Sequence, residues 1–351
     1  MRIVFITQAF DANHPLLGVA VDWVGALVDL GVRVDVIAST VRADCVPDGI
    51  RLFSLGKERR AGRVERIAKL ASALTCRVLV VRPDAIFAHM CPPFAVAAAP
   101  FARIACVPLV LWYAHKSVSW QLRLAHSLVD AVATASNDEL GITGPKIRVL
   151  GHGIATERFA GLSRAREDAP WRVVAVGRIA PVKKLEAIVD AARHLGHDAR
   201  FQFRLVGEVS ASEHEGYGRL LRASAAALPI EFAGAVAHAA IANEYARADA
   251  YVSAYRGEGW DKATLEACAS GRPCFVAGVT ARQAHGDLDT HFGFDTGDEL
   301  ATKLARFFTL ASHERSDLTR QQAERWRVQD ARVLMSTVIE LIAGLRRGWV
   351  A

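Results

Sequence analysis

The chain has 351 residues, 52% apolar, 23% charged and 8% aromatic, with 43 Lys and Arg against 37 Asp and Glu. That length suits about two domains, each able to bury a core without disulfides or structural metal, and the composition excludes disorder. The formal charge of +6 fits an anionic small ligand or an anionic membrane surface; no nucleic-acid module signature accompanies it, so nucleic acid is not an expected partner.

No apolar run reaches the roughly 18 uncharged residues of a membrane span. Residues 1–9 read as a short strand, not as a secretion signal. Cysteines at 45, 76, 91, 106, 268 and 274 form neither a Cys-x-x-Cys pair nor a zinc spacing. They read as reduced thiols in a cytoplasmic protein, and no metal is expected.

In chain order, Met1–Thr7 predicts a strand, Val19–Leu30 a helix ended by Gly31, and Val32–Ala38 a second strand. Strand, helix and strand make a βαβ unit, hence a parallel sheet. Next, Lys57, Arg59, Arg60, Arg63, Arg66 and Lys69 lie along one predicted helix within residues 57–77. Its Val64, Ile67, Ala71, Leu74 and Val78 recur at three- and four-residue spacing. The stretch is either a solvated basic face over a core-packed helix or a basic amphipathic helix lying on an anionic membrane. Ala85–Phe87, Pro108–Trp112, Ala131–Ala135 and Ile147–Leu150 are further buried-strand candidates, alternating with helices.

Gly161–Pro170 is polar and closed by Pro, a linker, after which the pattern restarts. Trp171–Val176, Phe201–Val206, Glu231–Ala233, Ala250–Ala254 and Pro273–Ala277 predict strands, and Lys184–Leu195 a helix. Asp317–Leu345 reads as helical throughout. The expected fold class is α/β, with two doubly wound Rossmann-like domains facing across a cleft. The expected division is residues 1–160, residues 161–325 and a terminal helix at 326–351 that packs back on the first domain.

Nucleotide fingerprints are weak. No G-x-x-x-x-G-K-[ST] occurs, and Gly151-His-Gly153-Ile-Ala-Thr156 lacks the third Gly of a dinucleotide turn. The second domain says more. Gly177-Arg178 ends its first strand and Lys183 follows just before a helix, where a fork and a point charge could hold a diphosphate. Two solvated basic residues at a helix start are the plain alternative. Glu258-Gly-Trp-Asp-Lys-Ala-Thr-Leu-Glu266 places two glutamates eight positions apart, around a helix starting near Asp261 and stopped by Gly271 and Pro273. Such glutamates can accept sugar hydroxyls, or simply complement a helix dipole.

Together, Gly177-Arg178…Lys183 and Glu258-x7-Glu266 resemble the retaining glycosyltransferase family 4 of the GT-B fold, the group 1 glycosyl transferases. Gly151-His-Gly-Ile154…Arg158-Phe159 is similar to that family's domain-junction segment. The resemblance implies that Arg178 and Lys183 hold the diphosphate of a sugar nucleotide, Glu258 the donor sugar and Glu266 the ribose. Gly177, Gly259, Trp260 and Asp261 would line the donor site, with the base against Phe232–Val236. His89 would stand beside the donor sugar, and the loop at Gly18 would close over the diphosphate. His115 and Lys116 are candidate acceptor contacts, while His14, His152 and His285 carry only a structural reading.

Three departures stand out: the paired first-domain glycines reduce to Leu17-Gly18, Lys184 replaces a common Gly, and Asp261-Lys262 replaces an apolar pair. The implied activity is transfer of a hexose or amino-hexose from a UDP- or GDP-sugar to a glycan hydroxyl. The acceptor would be lipid-linked, in bacterial cell-envelope polysaccharide synthesis, with no cofactor or metal. The enzyme would be cytoplasmic, with peripheral contact at the inner face of the membrane. A nucleotide-sugar epimerase or a phosphorylase of the same architecture, or a non-catalytic sugar-nucleotide-binding subunit, are the alternatives.

Overall fold

The structure, a computed structural model, describes every residue except 15–16, 43–48, 162–167, 197–199, 210–211, 238–239, 258, 327–328 and 351. It divides into two compact units, residues 1–155 with 329–351 and residues 156–328.

Unit 1 is built on a parallel sheet of seven strands: β1 (Arg2–Phe10), β2 (Arg33–Val41), β3 (Arg51–Ser54), β4 (Ala85–His89), β5 (Leu109–Trp112), β6 (Ala131–Thr134) and β7 (Ile147–Val149). Their order is β3-β2-β1-β4-β5-β6-β7, the doubly wound pattern expected from the alternation of runs. Helices α1 (Val19–Asp29), α2 (Arg63–Leu74), α3 (Pro92–Ala105) and α4 (Trp120–Leu128) connect them. Alternate residues of β1 serve opposite layers: Ile3 and Phe5 pack with α1, and Val4 and Ile6 with the α2, α3 and α4 side. The short edge strand β3 was not expected, because Arg51-Leu-Phe-Ser54 is only half-buried and carries no long apolar run.

Residues 57–77 differ from expectation. Lys57–Arg59 form a separate 3-10 turn, Arg60 takes a left-handed φ of 59°, and α2 begins only at Arg63. Leu70 and Leu74 are the buried residues of α2; Val64 and Ile67 are 81% and 59% exposed. The first turns of α2 overhang the core, so the predicted apolar face is split between protein and solvent.

Unit 2 carries a five-stranded parallel sheet of β8 (Trp171–Val176), β9 (Phe201–Val206), β10 (Ile230–Gly234), β11 (Ala250–Ser253) and β12 (Cys274–Val276), ordered β10-β9-β8-β11-β12. Its helices are α5 (Glu186–Leu195), α6 (Glu215–Ala225), α7 (Ile241–Ala246), α8 (Lys262–Ala269), α9 (Val279–His285), α10 (Asp289–Phe292), α11 (Gly297–Thr309) and α12 (Ser312–Trp326). Trp171, Val173 and Ala175 of β8 meet Ile188 of α5 and Leu304 of α11 in one core. Thr296 starts α11 by accepting the Glu299 N–H at 3.2 Å, a conventional N-cap.

The stretch 317–345 is not one helix. It breaks after α12, and α13 (Ala331–Val350) begins in unit 1. The cause is a long-range pairing: Ile154 N–H donates to Gln329 O at 2.9 Å, and Ala331 N–H donates to Ile154 O at 2.8 Å. The Asp330 carboxylate then accepts the Arg332 N–H at 2.7 Å. On α13, Leu334, Met335, Val338 and Ile342 are buried beside α1. Gly153 permits this, since a Cβ there would lie 2.5 Å from Leu334 Cδ2 and 2.8 Å from Trp23 Nε1.

Candidate active site

In unit 2 the strand order reverses between β8 and β11, the place where open α/β sheets take ligands at their carboxyl ends. There the backbone leaves β8 through Gly177 at φ 150° and β9 through Gly207 at φ 141°. A Cβ on Gly207 would come within 1.9 Å of Gly177 O, so only glycine allows this crossing. Gly207 was missed from the sequence; its signal is the repeated Val-Gly, Val176-Gly177 and Val206-Gly207, closing both strands.

This turn sets two cations at the strand ends. Arg178 is exposed and has no hydrogen-bond or ion-pair partner among the described residues. Lys183 ends a 3-10 turn, Pro181–Lys183, and runs beside Gly177, where a Cβ would sit 3.3 Å from its Cε. Lys184 then adopts a left-handed φ of 50°, a conformation that glycine takes without strain. Lys183 Nζ donates to Asp261 Oδ2 at 2.8 Å and lies 5.2 Å from the Tyr255 ring centre. Ser253 at the end of β11, another residue the sequence did not single out, donates its hydroxyl to the same Asp261 oxygen at 3.0 Å.

Asp261 stands at the N-cap of α8 and Glu266 lies one turn inside, buried. Tyr245 Oη donates to Glu266 Oε2 at 3.1 Å and touches Ala263 O at 3.1 Å. Burial, then the neighbouring Glu266 charge, push the Tyr245 phenol far above its ordinary pKa, so it remains a donor. Phe159, from the Gly151–Phe159 segment, packs edge-on against Tyr245 at 5.9 Å. Trp260 meets Trp326 of α12 edge-on at 5.3 Å. Arg178, Lys183, Gly177, Asp261 and Glu266 therefore sit on the strand ends and the helix that the spacing implied. Glu258 lies outside the described residues. Gly259 flanks α8 as expected. At the far side of the sheet end, the Gly234 carbonyl accepts the Gly207 N–H at 2.8 Å, and Ala235 N–H donates to Glu208 Oε1 at 3.3 Å.

In unit 1 the order reverses between β1 and β4, whose carboxyl ends pair Thr7 with His89. His89 is 1% exposed, with Nδ1 3.2 Å from Thr7 Oγ1 and its ring 5.0 Å from Trp23. It belongs to β4 itself rather than to a loop after it. Gly18 precedes α1 and is buried; a Cβ would lie 2.7 Å from Ala12 O and 2.8 Å from His14 O. His115 and Lys116 are both exposed beyond β5, and His115 Nδ1 accepts the Ser117 N–H at 2.9 Å. His14 accepts the Leu17 N–H at 3.0 Å, and His152 Nε2 lies 3.1 Å from Glu139 Oε1. Among the described residues no group of three or more His, Cys, Asp or Glu could hold a metal, and no helix is long and apolar enough to cross a membrane.

Residues 170–309 match the family model of the glycosyl transferases group 1. Among solved structures, Alr3699/HepE of Anabaena in complex with UDP and glucose is similar at 17% identity, with a TM-score of 0.68, covering 98% of this chain and 99% of that one. A glycosyltransferase from Rickettsia africae is similar at 14% identity and a TM-score of 0.73, covering 97% of each chain. WaaG, a glycosyltransferase involved in lipopolysaccharide biosynthesis, is similar at 13% identity and a TM-score of 0.62, covering 97% of this chain and 100% of that one. No curated protein matches the chain. The fold is GT-B, built from two doubly wound α/β units. The match to the glycosyl transferases group 1 model lies within the second unit.

Proposed function

We propose that the protein is a cytoplasmic, retaining glycosyltransferase. It moves a hexose or amino-hexose from a UDP- or GDP-sugar to a glycan hydroxyl, on a lipid-linked acceptor, in cell-envelope polysaccharide synthesis. One observation carries this reading: Arg178, uncommitted and exposed, stands at the β8 switch point on the turn that leads to Lys183. A planar fork and a point charge at that position suit a diphosphate whose negative charge grows as it departs. The group 1 domain match and the UDP complex of HepE support the donor class.

Arg178 and Lys183 assist departure of the diphosphate with no metal. The acceptor hydroxyl attacks the same face of the sugar, and the leaving phosphate takes its proton. Glu266, positioned by Tyr245, receives the ribose hydroxyls, and Glu258 those of the sugar. His89 and Gly18 serve the donor, and His115 and Lys116 the acceptor.

Peripheral membrane contact is part of the same proposal. Val64, Ile67, Ala68 and Ala71 form an exposed apolar stripe on α2, with Arg60, Arg63 and Arg66 alongside. Apolar side chains that insert beside cations suit an anionic lipid surface.

The test is a thermal-shift screen with UDP, GDP, ADP and their common sugars, followed by Arg178→Ala. A ligand at 100 times its dissociation constant stabilises by about 2.7 kcal/mol, several degrees of melting temperature. One nucleotide class should shift the wild type and not the variant. Equal affinity in both would remove the diphosphate assignment. Donor turnover without acceptor would indicate an epimerase, and binding without any turnover a non-catalytic subunit.

A further inference from the structure

Asp261 occupies the N-cap of α8, with an extended φ of −84° and ψ of 113°. An aspartate there ordinarily accepts a backbone N–H from the first turn of its helix. This one does not. Its Oδ2 instead accepts Lys183 Nζ at 2.8 Å and Ser253 Oγ at 3.0 Å. The two side chains are only 17% and 12% exposed, so salt and water screen this pair far less than a surface pair. Lys183 is thus already neutralised, while Arg178, five residues earlier in the chain, is not.

We infer that Asp261 is a built-in competitor for the diphosphate: it holds Lys183 while the site is empty, and takes it back when the nucleoside diphosphate leaves. The inference rests on the proposed role of Arg178 and Lys183. An entering diphosphate meets Arg178 first and must draw Lys183 Nζ away from a carboxylate. The freed Asp261 has a place to go, because the first turn of α8 still lacks its side-chain cap. The result is weaker product binding, and faster product release, than an uncharged residue at 261 would give. The Ser253 hydroxyl tunes the exchange by holding the same carboxylate oxygen.

The experiment is calorimetric titration of wild type, Asp261→Asn and Ser253→Ala with UDP and GDP, and with uridine and guanosine as controls lacking phosphate. Asparagine keeps the shape and can still cap α8 but carries no charge. Removing one unit charge a few ångströms from the phosphates should tighten nucleoside diphosphate binding by about tenfold, leaving the nucleosides unchanged. Single-turnover against steady-state rates should show slower product release in the same variant. Ser253→Ala should tighten binding in the same direction by about two- to threefold. Should Asp261→Asn fail to fold, Ser253→Ala decides alone, and no tightening there would overturn the inference. Wild type that binds a nucleoside diphosphate while Asp261→Asn binds it equally or more weakly overturns the inference and leaves the site reading standing. No binding of any nucleotide by wild type or variants overturns both.

Discussion

Acidification should loosen unit 2 through one residue, His285. Its ring is fully buried, stacked 4.7 Å from Trp326 at an interplanar angle of 6°. Gln322 Nε2 lies 2.8 Å from His285 Nε2, and an amide nitrogen can only donate there, so the ring proton belongs on Nδ1. The same Gln322 binds the backbone of β12, donating to Cys274 O at 2.9 Å and accepting the Cys274 N–H at 2.8 Å. Burial lowers the His285 pKa to about 4. The Asp289 carboxylate, 3.7 Å away, opposes that shift, and the Arg325 and Arg282 guanidiniums add to it.

The folded state thus favours neutral His285, whereas the unfolded chain titrates near 6.5. Between those values the unfolded state binds more protons, so this contribution is intact above about pH 6.5 and is lost as pH falls toward 4. The loss amounts to about 2 kcal/mol between pH 7 and pH 5, and about 3 kcal/mol by pH 4. Urea titrations of wild type and His285→Gln, followed by tryptophan fluorescence, isolate this slope from that of the carboxylates. The wild type should lose about 2 kcal/mol more than the variant over that interval. Equal pH slopes in the two proteins, or an NMR titration placing His285 near 6.5, would refute the reasoning.

Gly207→Ala should abolish nucleotide-induced thermal shifts and destabilise unit 2 by at least about 2 kcal/mol, since its methyl would overlap Gly177 O; unchanged melting and binding would contradict the crossing. Tyr245→Phe should cost about 1–2 kcal/mol of stability in thermal or urea unfolding and weaken nucleoside binding, because buried Glu266 loses a donor. Replacing Val64 and Ile67 with Ser, together with Arg60, Arg63 and Arg66, should eliminate co-sedimentation with anionic liposomes and leave the melting temperature unchanged. Activity on a soluble acceptor analogue should survive chelation by EDTA if Arg178 and Lys183 alone hold the diphosphate as proposed; loss of activity would contradict that proposal.

Much of the sheet architecture is legible locally. β8 and β9 occupy the residues predicted, because each is an apolar run ended by a Val-Gly step. α8 starts one residue after Asp261 and ends before Gly271, as its punctuation implies. What the chain conceals depends on partners far away in sequence. The break before α13 comes from Ile154 pairing with Gln329 and Ala331, which leaves no local mark. The outward turn of Val64 and Ile67 depends on where the core stops, not on helical period. In the site, Arg178 and Lys183 can be read as a cationic pair. That one is committed and the other free depends on Asp261, 78 residues from Lys183.

The interrupted make-up of unit 1 also orders events on the ribosome. Residues 156–328 are one continuous stretch, but unit 1 needs residues 329–351 to cover α1. Translation therefore delivers all of unit 2 before the last layer of unit 1 exists. Until Leu334, Met335, Val338 and Ile342 emerge, the face of α1 that they cover stays wet and open to chaperones or to wrong partners. The second-made unit is the first that can finish folding, and a fragment of residues 1–155 should be the poorer of the two to express alone.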